Sequence, residues 1–331
     1  MKTRLVSLLV PTLILVLAAC GSGGGQGQPD PGDRDGSLSG TLLEEGTSRI
    51  HSLDLPAGVE WQQRLSSSSV YGAAAVHRPA NELMLASLSL DAPLRIAVHD
   101  LENFALKRTF VWPNSSDSDY FRIRSLAVSP DGQHFAVFIE GIGPNFVEII
   151  NTGSMEVLFK GALPMAGYDL LWLDGDTIAF SAQLVETEWA GGIVGVPLEN
   201  LADDSETIEF GILLPFSAAE WALGQPSDLS LSANSRQLAY SYNSDIWLKD
   251  LTNNEAARQL TTGPSTLVGP AFSPDATHLA LVARKTPTRS DTFVIPLNQP
   301  EPLFVDGPNS DPVVVMLAAD TMVDSMLWWR P

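Results

Sequence analysis

Short apolar runs separated by turn residues recur along the chain. Two stretches show the pattern most clearly: LAVSPDGQHFAVFI at 126–139 and PAFSPDATHLALVA at 270–283. Each is an apolar run, a Ser-Pro-Asp-Gly or Ser-Pro-Asp-Ala turn, and a second apolar run. Proline presets φ for the turn, and aspartate with glycine or alanine finishes it. The flanking runs are rich in Val, Phe and Ala, which predicts hairpin strands. Weaker copies lie at 72–88, 170–182 and 229–242. A third strand follows each copy: RIAVHDL (95–101), FVEIINT (146–152), GIVGVPL (192–198), DIWLKDL (245–251) and TFVIPL (292–297). A fourth closes each unit: ALKRTFV (105–111), EVLFKG (156–161), TIEFG (207–211), ARQLTTG (257–263) and PLFVDG (302–307). These carry charge or end in glycine, as outer strands do.

Five four-stranded units therefore span about 70–307, and the two ends of the chain supply a sixth. Near the N-terminus, SGTLLEEG, SRIHSLDL and EWQQRL match second, third and fourth strands, with no first strand. The terminal SMLWWRP is a first strand with no successors. Trp329-Arg330-Pro331 followed by Asp35-Gly36 recreates the turn from the two ends. The repeat predicts an all-β fold: a six-bladed β-propeller of four-stranded blades, with the first blade closed by the N-terminal strands plus the C-terminal strand. Trp172, Phe180, Tyr240, Trp247 and Trp328 fall on strands and are expected to pack between blades.

The repeated Ser-Pro-Asp-Gly turn, with the apolar runs and the Ile-Trp and Asp-Leu pairs of the later strands, resembles the TolB-like six-bladed propellers, whose repeats are related to the WD-repeat blade. The resemblance covers about 37–331 and departs in the fourth and fifth units, where the turn proline is absent. It identifies the blade type and carries little about function, because propellers host many functions.

Before the repeat, MKTRLVSLLVPTLILVLAAC pairs basic Lys2 and Arg4 with an apolar stretch from Leu5 to Leu17. This reads as a secretory signal over 1–19, too short for a membrane span and interrupted by Pro11. Leu17-Ala18-Ala19-Cys20 resembles the lipobox of bacterial lipoproteins, which implies cleavage before Cys20 and lipidation of its thiol. Several acyl chains would anchor the protein stably. Gly21 follows, in place of the aspartate linked to inner-membrane retention. The expected location is the bacterial cell envelope, at the outer membrane facing the periplasm in a Gram-negative host. Residues 20–36, GSGGGQGQPDPGDRD within them, read as a flexible tether with a reach of about 20 Å. The propeller occupies 37–331.

The formal net charge is −20, and beyond residue 19 there are 17 basic against 39 acidic side chains. That balance repels phosphate backbones and excludes nucleic acid as a partner. Cys20 is the only cysteine, so no intrachain disulfide and no multi-cysteine metal site can form. No His-Glu-x-x-His, Walker or Gly-x-Ser-x-Gly motif is present. The five histidines occupy repeat positions (His134 with His278, His51 with His99) or precede a turn (His77), and form no spaced ligand pair.

Long connections gather on the face opposite the Ser-Pro-Asp-Gly turns: 112–120, 183–192, 213–227, 284–291 and 308–324. They mix acids with aromatics, and within them PFSAAEWAL predicts a short helix with Phe216, Ala219 and Leu223 on one side. Aromatic anchors dominate interface energetics. The expected function is a non-enzymatic scaffold that binds another envelope protein through this face. Its candidate residues are Trp112, Asp117, Asp119, Tyr120, Glu186, Glu188, Trp189, Phe216 and Trp221. No cofactor is expected for it. The alternative is an enzyme or a small-ligand binder (saccharide, lactone or peptide) that uses the central channel, as lactonase- and lyase-like propellers do. Convergent polar groups, with or without Ca2+, at the channel mouth would mark that alternative.

Overall fold

The computed structural model describes residues 40–330 apart from 47–48, 56–61, 67–69, 78–79, 89–94, 112–119, 142–144, 164–166, 185–188, 202–209, 287–288 and 322–324. Residues 1–36, read above as a signal, Cys20 and a tether, lie outside the described residues, as do Trp112, Asp117, Asp119, Glu186 and Glu188.

Strands follow one another with few helical interruptions. β1 (Gly40–Gly46), β2 (Arg49–Leu55) and β3 (Gln62–Ser66) come first. Then come β4 (Val70–His77), β5 (Glu82–Leu88), β6 (Arg95–Asp100) and β7 (Leu106–Val111). β8 (Tyr120–Val128), β9 (His134–Gly141), β10 (Asn145–Asn151) and β11 (Val157–Leu163) form the next set. β12 (Gly167–Trp172), β13 (Thr177–Gln183) and β14 (Gly191–Pro197) lead through the short α1 (Leu198–Leu201) to β15 (Gly211–Phe216) and α2 (Ala218–Leu223). β16 (Ser227–Leu231), β17 (Gln237–Tyr242), β18 (Asp245–Asp250), β19 (Arg258–Gln259) and β20 (Thr261–Thr262) follow. The last are β21 (Thr266–Phe272), β22 (His278–Thr286), β23 (Arg289–Pro296), β24 (Leu303–Phe304), β25 (Val315–Thr321) and β26 (Ser325–Arg330).

Among the described residues these strands form six four-stranded antiparallel sheets, and β20 and β24 add a two-stranded parallel one. Five of the six are each built from one stretch of chain, and the sixth runs β26-β1-β2-β3 and joins the two ends. In that sheet Thr41 lies opposite Arg330 and Leu42 opposite Trp329, so the terminal strand completes the first sheet, three residues away from the register that a continuous Ser-Pro-Asp-Gly turn sets in β8–β9. The first strand of each sheet neighbours the first strand of the next: β4, β8, β12, β16, β21, β26 and back to β4. These strands line the axis of a propeller, and the fourth strands form its outer wall.

The hairpin turns show why the Ser-Pro-Asp-Gly pattern persists without its proline. Ser129 donates its hydroxyl to Asp131 at 2.5 Å, the Gln133 amide donates to the same carboxylate at 2.9 Å, and Gly132 closes the turn at φ +70°. In the fifth unit Ser232 and Asn234 take the same places at 2.8 Å, and Ser235 adopts φ +56°. The side-chain bonds and one left-handed residue define this turn, and proline is dispensable.

Cores form between sheets. Ala136, Phe138 and Ile149 of one blade pack with Trp172, Ile178 and Phe180 of the next. His134 stacks on Trp172 across that boundary, ring centroids 6.4 Å apart and 20° from parallel. Tyr240 and Phe216 join the following pair of blades, with Trp247 partly buried against them. The strand aromatics with described side chains therefore pack between blades, as expected. The side chain of Trp328 lies outside the described residues.

Two outer strands differ from the sequence reading. In the fourth unit the outer strand is Gly211–Phe216, pairing with β14 from Gly195 to Gly191, and not 207–211. Its Pro215 is tolerated because an outer strand can leave a ladder position without an N–H. In the last unit the outer strand is β25, drawn from the segment read as a long connection. Leu303–Phe304 instead pairs parallel with Thr261–Thr262 of the preceding unit, and buried Leu303 and Val305 fill the core between the two blades. The connection at 284–291 is likewise largely strand, an extension of the β22–β23 hairpin.

Candidate partner-binding face

Ser217 ends β15 and starts α2. Its hydroxyl accepts from the Glu220 amide at 3.3 Å, and the Glu220 carboxylate accepts from the Ser217 amide at 2.8 Å. This reciprocal capping box fixes the direction of a helix only six residues long. The Ser217 side-chain bond, then its backbone bond, hold the Glu220 carboxyl below the ordinary range. From the next blade, Tyr242 donates its hydroxyl to the Glu220 carbonyl at 2.6 Å, tying α2 to β17.

Trp221 is the side chain this arrangement positions. Its indole lies on the backbone of Gly191, where a Cβ would come 2.1 Å from Cε3. Phe216 meets it edge-on with centroids 6.3 Å apart, and Phe216 in turn packs 4.9 Å from Tyr242. Phe216 is buried, so it supports the platform, while Trp221 is half-buried at the surface. Leu223 is 63% exposed, and Ala219 is exposed too. The predicted seating of Phe216, Ala219 and Leu223 on one helix side is thus corrected: Trp221 and Phe216 seat the segment. The reason is that Phe216 belongs to β15 and points into the sheet core, which rotates the helix to present Trp221 inward.

Trp189 is half-buried against the opposite side of the same blade, beside the cluster that holds Phe180 and Trp172. The structure therefore brings Phe216 and Trp221 together and places Trp189 apart from them. Tyr120 begins β8 opposite Gly141, and its side chain lies outside the described residues.

A second set of functional groups sits on the inner strands. Each inner strand carries one extra residue against its neighbour at a similar level: Gly72, Arg124, Asp169, the Asp228–Leu229 step, the Gly269–Pro270 step and Leu327. Such bulges re-aim a side chain. Asp169 and Asp228 take left-handed conformations, φ +46° and +52°, and the Asp169 carboxylate accepts from the Asp228 amide at 2.7 Å. Burial, then the neighbouring Asp228 carboxylate, pushes the Asp169 carboxyl up to about 6, against the pull of that amide and of Arg124. Arg124, Asp169, Gln225, Pro226 and Ser227 enclose a cavity of about 180 Å³. Sequence reading missed this set. The available signal was an acid or arginine four or five residues before the turn, inside an otherwise apolar run: Arg124 before Ser129, Asp169 before Leu173, Asp228 before Ser232. Among the described residues no group of three or more His, Cys, Asp or Glu is placed to hold a metal ion.

No family model matches the sequence, and no curated protein matches it. Solved structures do resemble it. TolB from Acinetobacter baumannii superposes with a TM-score of 0.58 at 14% identity, covering 89% of this chain and 68% of that one. The putative TolB from Agrobacterium tumefaciens gives 0.56 at 12% identity, covering 89% of this chain and 100% of that one. A chain of a nidogen/laminin complex gives 0.58 at 14% identity over 78% of this chain and 90% of that one. At such identities the likeness establishes architecture alone: an all-β, TolB-like propeller of four-stranded antiparallel blades.

Proposed function

We propose that the chain is a lipid-anchored, six-bladed scaffold of the bacterial cell envelope that binds another envelope protein through its long-loop face without catalysing a reaction. The observation that carries this reading is the Trp221 platform. A large aromatic is half-exposed on a helix held by a capping box, a cross-blade tyrosine bond and a glycine seat. Rigid aromatics of this kind are the usual energetic centres of protein interfaces. Trp189 supplies a second anchor on the other flank of the blade, with Trp112 and Tyr120 from the preceding connection. Asp117, Asp119, Glu186 and Glu188 select a basic partner surface, consistent with the net charge of −20. The six-blade count is supported by the six sheets and the cyclic order of their inner strands. Lipid on Cys20 and a tether over 20–36 hold the ring near the membrane.

Replacing Trp221 by Ala tests the platform: recovery of the partner falls while the variant still folds, with a lowered unfolding midpoint from the lost packing on Gly191 and Phe216. Full recovery by a folded variant removes Trp221 from the interface. Cys20→Ala tests the anchor, which requires release from membranes or arrested processing.

The second reading, a small-ligand site in the central channel, is favoured by one observation, the Asp169–Asp228–Arg124 set at the inner-strand bulges. Its ligand would carry a positive charge, and binding would weaken in Asp169→Asn.

A further inference from the structure

A groove of about 790 Å³ runs down the outer wall between β15 and the loop that joins β18 to β19. Five consecutive β15 residues, Ile212 to Phe216, line one side. Successive strand side chains point to opposite faces, so a wall made of all five is the edge of the strand. Among the described residues that edge has no strand partner, because β15 is the terminal strand of its sheet. The opposite wall is Asn253–Ala257, and Trp247 and Tyr242 line the space between. The neighbouring blade leaves this space open because its outer strand is only Arg258–Gln259.

Its volume is that of a ligand site, which commonly measures roughly 300–1,000 Å³. Its length is that of a strand, about 20 Å for six residues. Carboxylates stand at both ends. Asp174 and Glu255 lie on turns at one face of the ring, and Glu220 lies on α2 at the other. Lys249 is the basic residue lining the groove, and its ammonium is bound to the carbonyls of Asn253, at 3.0 Å, and Glu255. Along β15 the register shifts at Leu213, and Pro215 lacks an N–H. Both features guard an outer strand against indiscriminate pairing. Recognition here rests on side chains and not on a continuous ladder.

We propose that this groove takes an extended peptide segment of a partner protein, apolar in its middle and basic at both ends. The apolar residues lie between Ile212 and Leu214 on one side and Leu251 and Ala257 on the other. The basic ends face Glu220 and the Asp174–Glu255 pair. The proposal stands on the groove and does not depend on the contacts of Trp221.

The test is a displayed library of eight-residue peptides with Lys or Arg at both ends and random positions between, selected on the purified full chain in detergent micelles. Selected peptides are then titrated by fluorescence anisotropy against wild type, Ala257→Trp and Ile212→Ser. The expected result is enrichment of segments with apolar centres and a loss of roughly tenfold or more in affinity with Ala257→Trp, which fills the groove. Affinity also falls on raising salt from about 0.05 to about 0.5 M, and amide exchange slows across 211–216. Ile212→Ser, at a position already 38% exposed, gives the same reading if the tryptophan disturbs its loop. No enrichment, binders indifferent to both substitutions, or groove-dependent binding of a soluble oligosaccharide panel with no peptide selected each overturn the proposal. Loss of the partner in Trp221→Ala with peptide binding intact separates this groove from the loop-face reading.

Discussion

The indole of Trp221 rests directly on Gly191, so that a Cβ on residue 191 would come within 2.1 Å of Cε3 and 2.2 Å of Cζ3. The two residues are joined through sheet pairing as well: Gly191 lies opposite Phe216, the strand residue that leads into the helix. Gly191→Ala should therefore lift Trp221 from its seat without removing any aromatic surface. The expected cost is about 2 kcal/mol, in the range of overpacking substitutions. Urea unfolding measures it, and a red-shifted tryptophan emission reports the displaced indole. An unchanged midpoint and spectrum would mean that Trp221 is not held as described.

Asp169 sets a second expectation, on pH. Its carboxyl is pushed up to about 6 in the folded protein, above the roughly 3.9 of an unfolded aspartate. Between those values the folded state holds more protons than the unfolded state, so this group makes stability fall as pH rises. Above about 6 the loss is complete. Asparagine keeps an oxygen to accept the Asp228 amide and removes the charge. Asp169→Asn should gain stability relative to wild type between pH 4 and pH 6, by about 3 kcal/mol in all. Parallel pH–stability curves for the two proteins would contradict the assignment.

Glu82 is the opposite case. It is buried, and Arg108 donates two bonds to its carboxylate at 2.6 and 2.7 Å while Lys107 lies 3.6 Å away. Burial alone would raise this carboxyl; the Arg108 bonds and charge, with that of Lys107, override it and hold it below the ordinary range. Arg108→Ala leaves a buried carboxylate with only Lys107 and His77 nearby. It should destabilise the blade by about 3 kcal/mol at pH 7, and Arg108→Lys should recover only part, because one ammonium cannot replace the two-bonded fork. The Glu82 contribution is present above the unfolded carboxylate value and lost as pH falls below it. Chemical denaturation of both variants at pH 7 and pH 4 checks the sign.

The architecture was legible because a repeat announces itself many times. One strong Ser-Pro-Asp-Gly hairpin identifies the weaker ones, and a unit lacking its first strand points to the terminal strand that lacks successors. The pairing of β26 with β1 follows from that logic, although its register, Leu42 opposite Trp329, is not the one the split turn would set. Outer strands were less legible. Such a strand is half exposed and tolerates proline, so ILLPF around Pro215 reads as a connection although it is a strand. The Asp169–Asp228 contact was hidden for another reason. Isolated acids are normally solvated, and only the left-handed bulge turns these two toward each other. On the candidate face, Trp221 was singled out by its residue type, while the contacts that hold it, from Gly191, Ser217 and Tyr242, depend on tertiary neighbours.

The central claim is that the long-loop face meets a protein, and site-specific photo-crosslinking in the native envelope addresses it most directly. A probe replaces Trp221, and a control probe replaces exposed Gln133 in the turn on the opposite face. The account predicts a discrete protein adduct at position 221 and none at 133. Adducts absent from both positions, in a chain that is folded and membrane-associated, would contradict it.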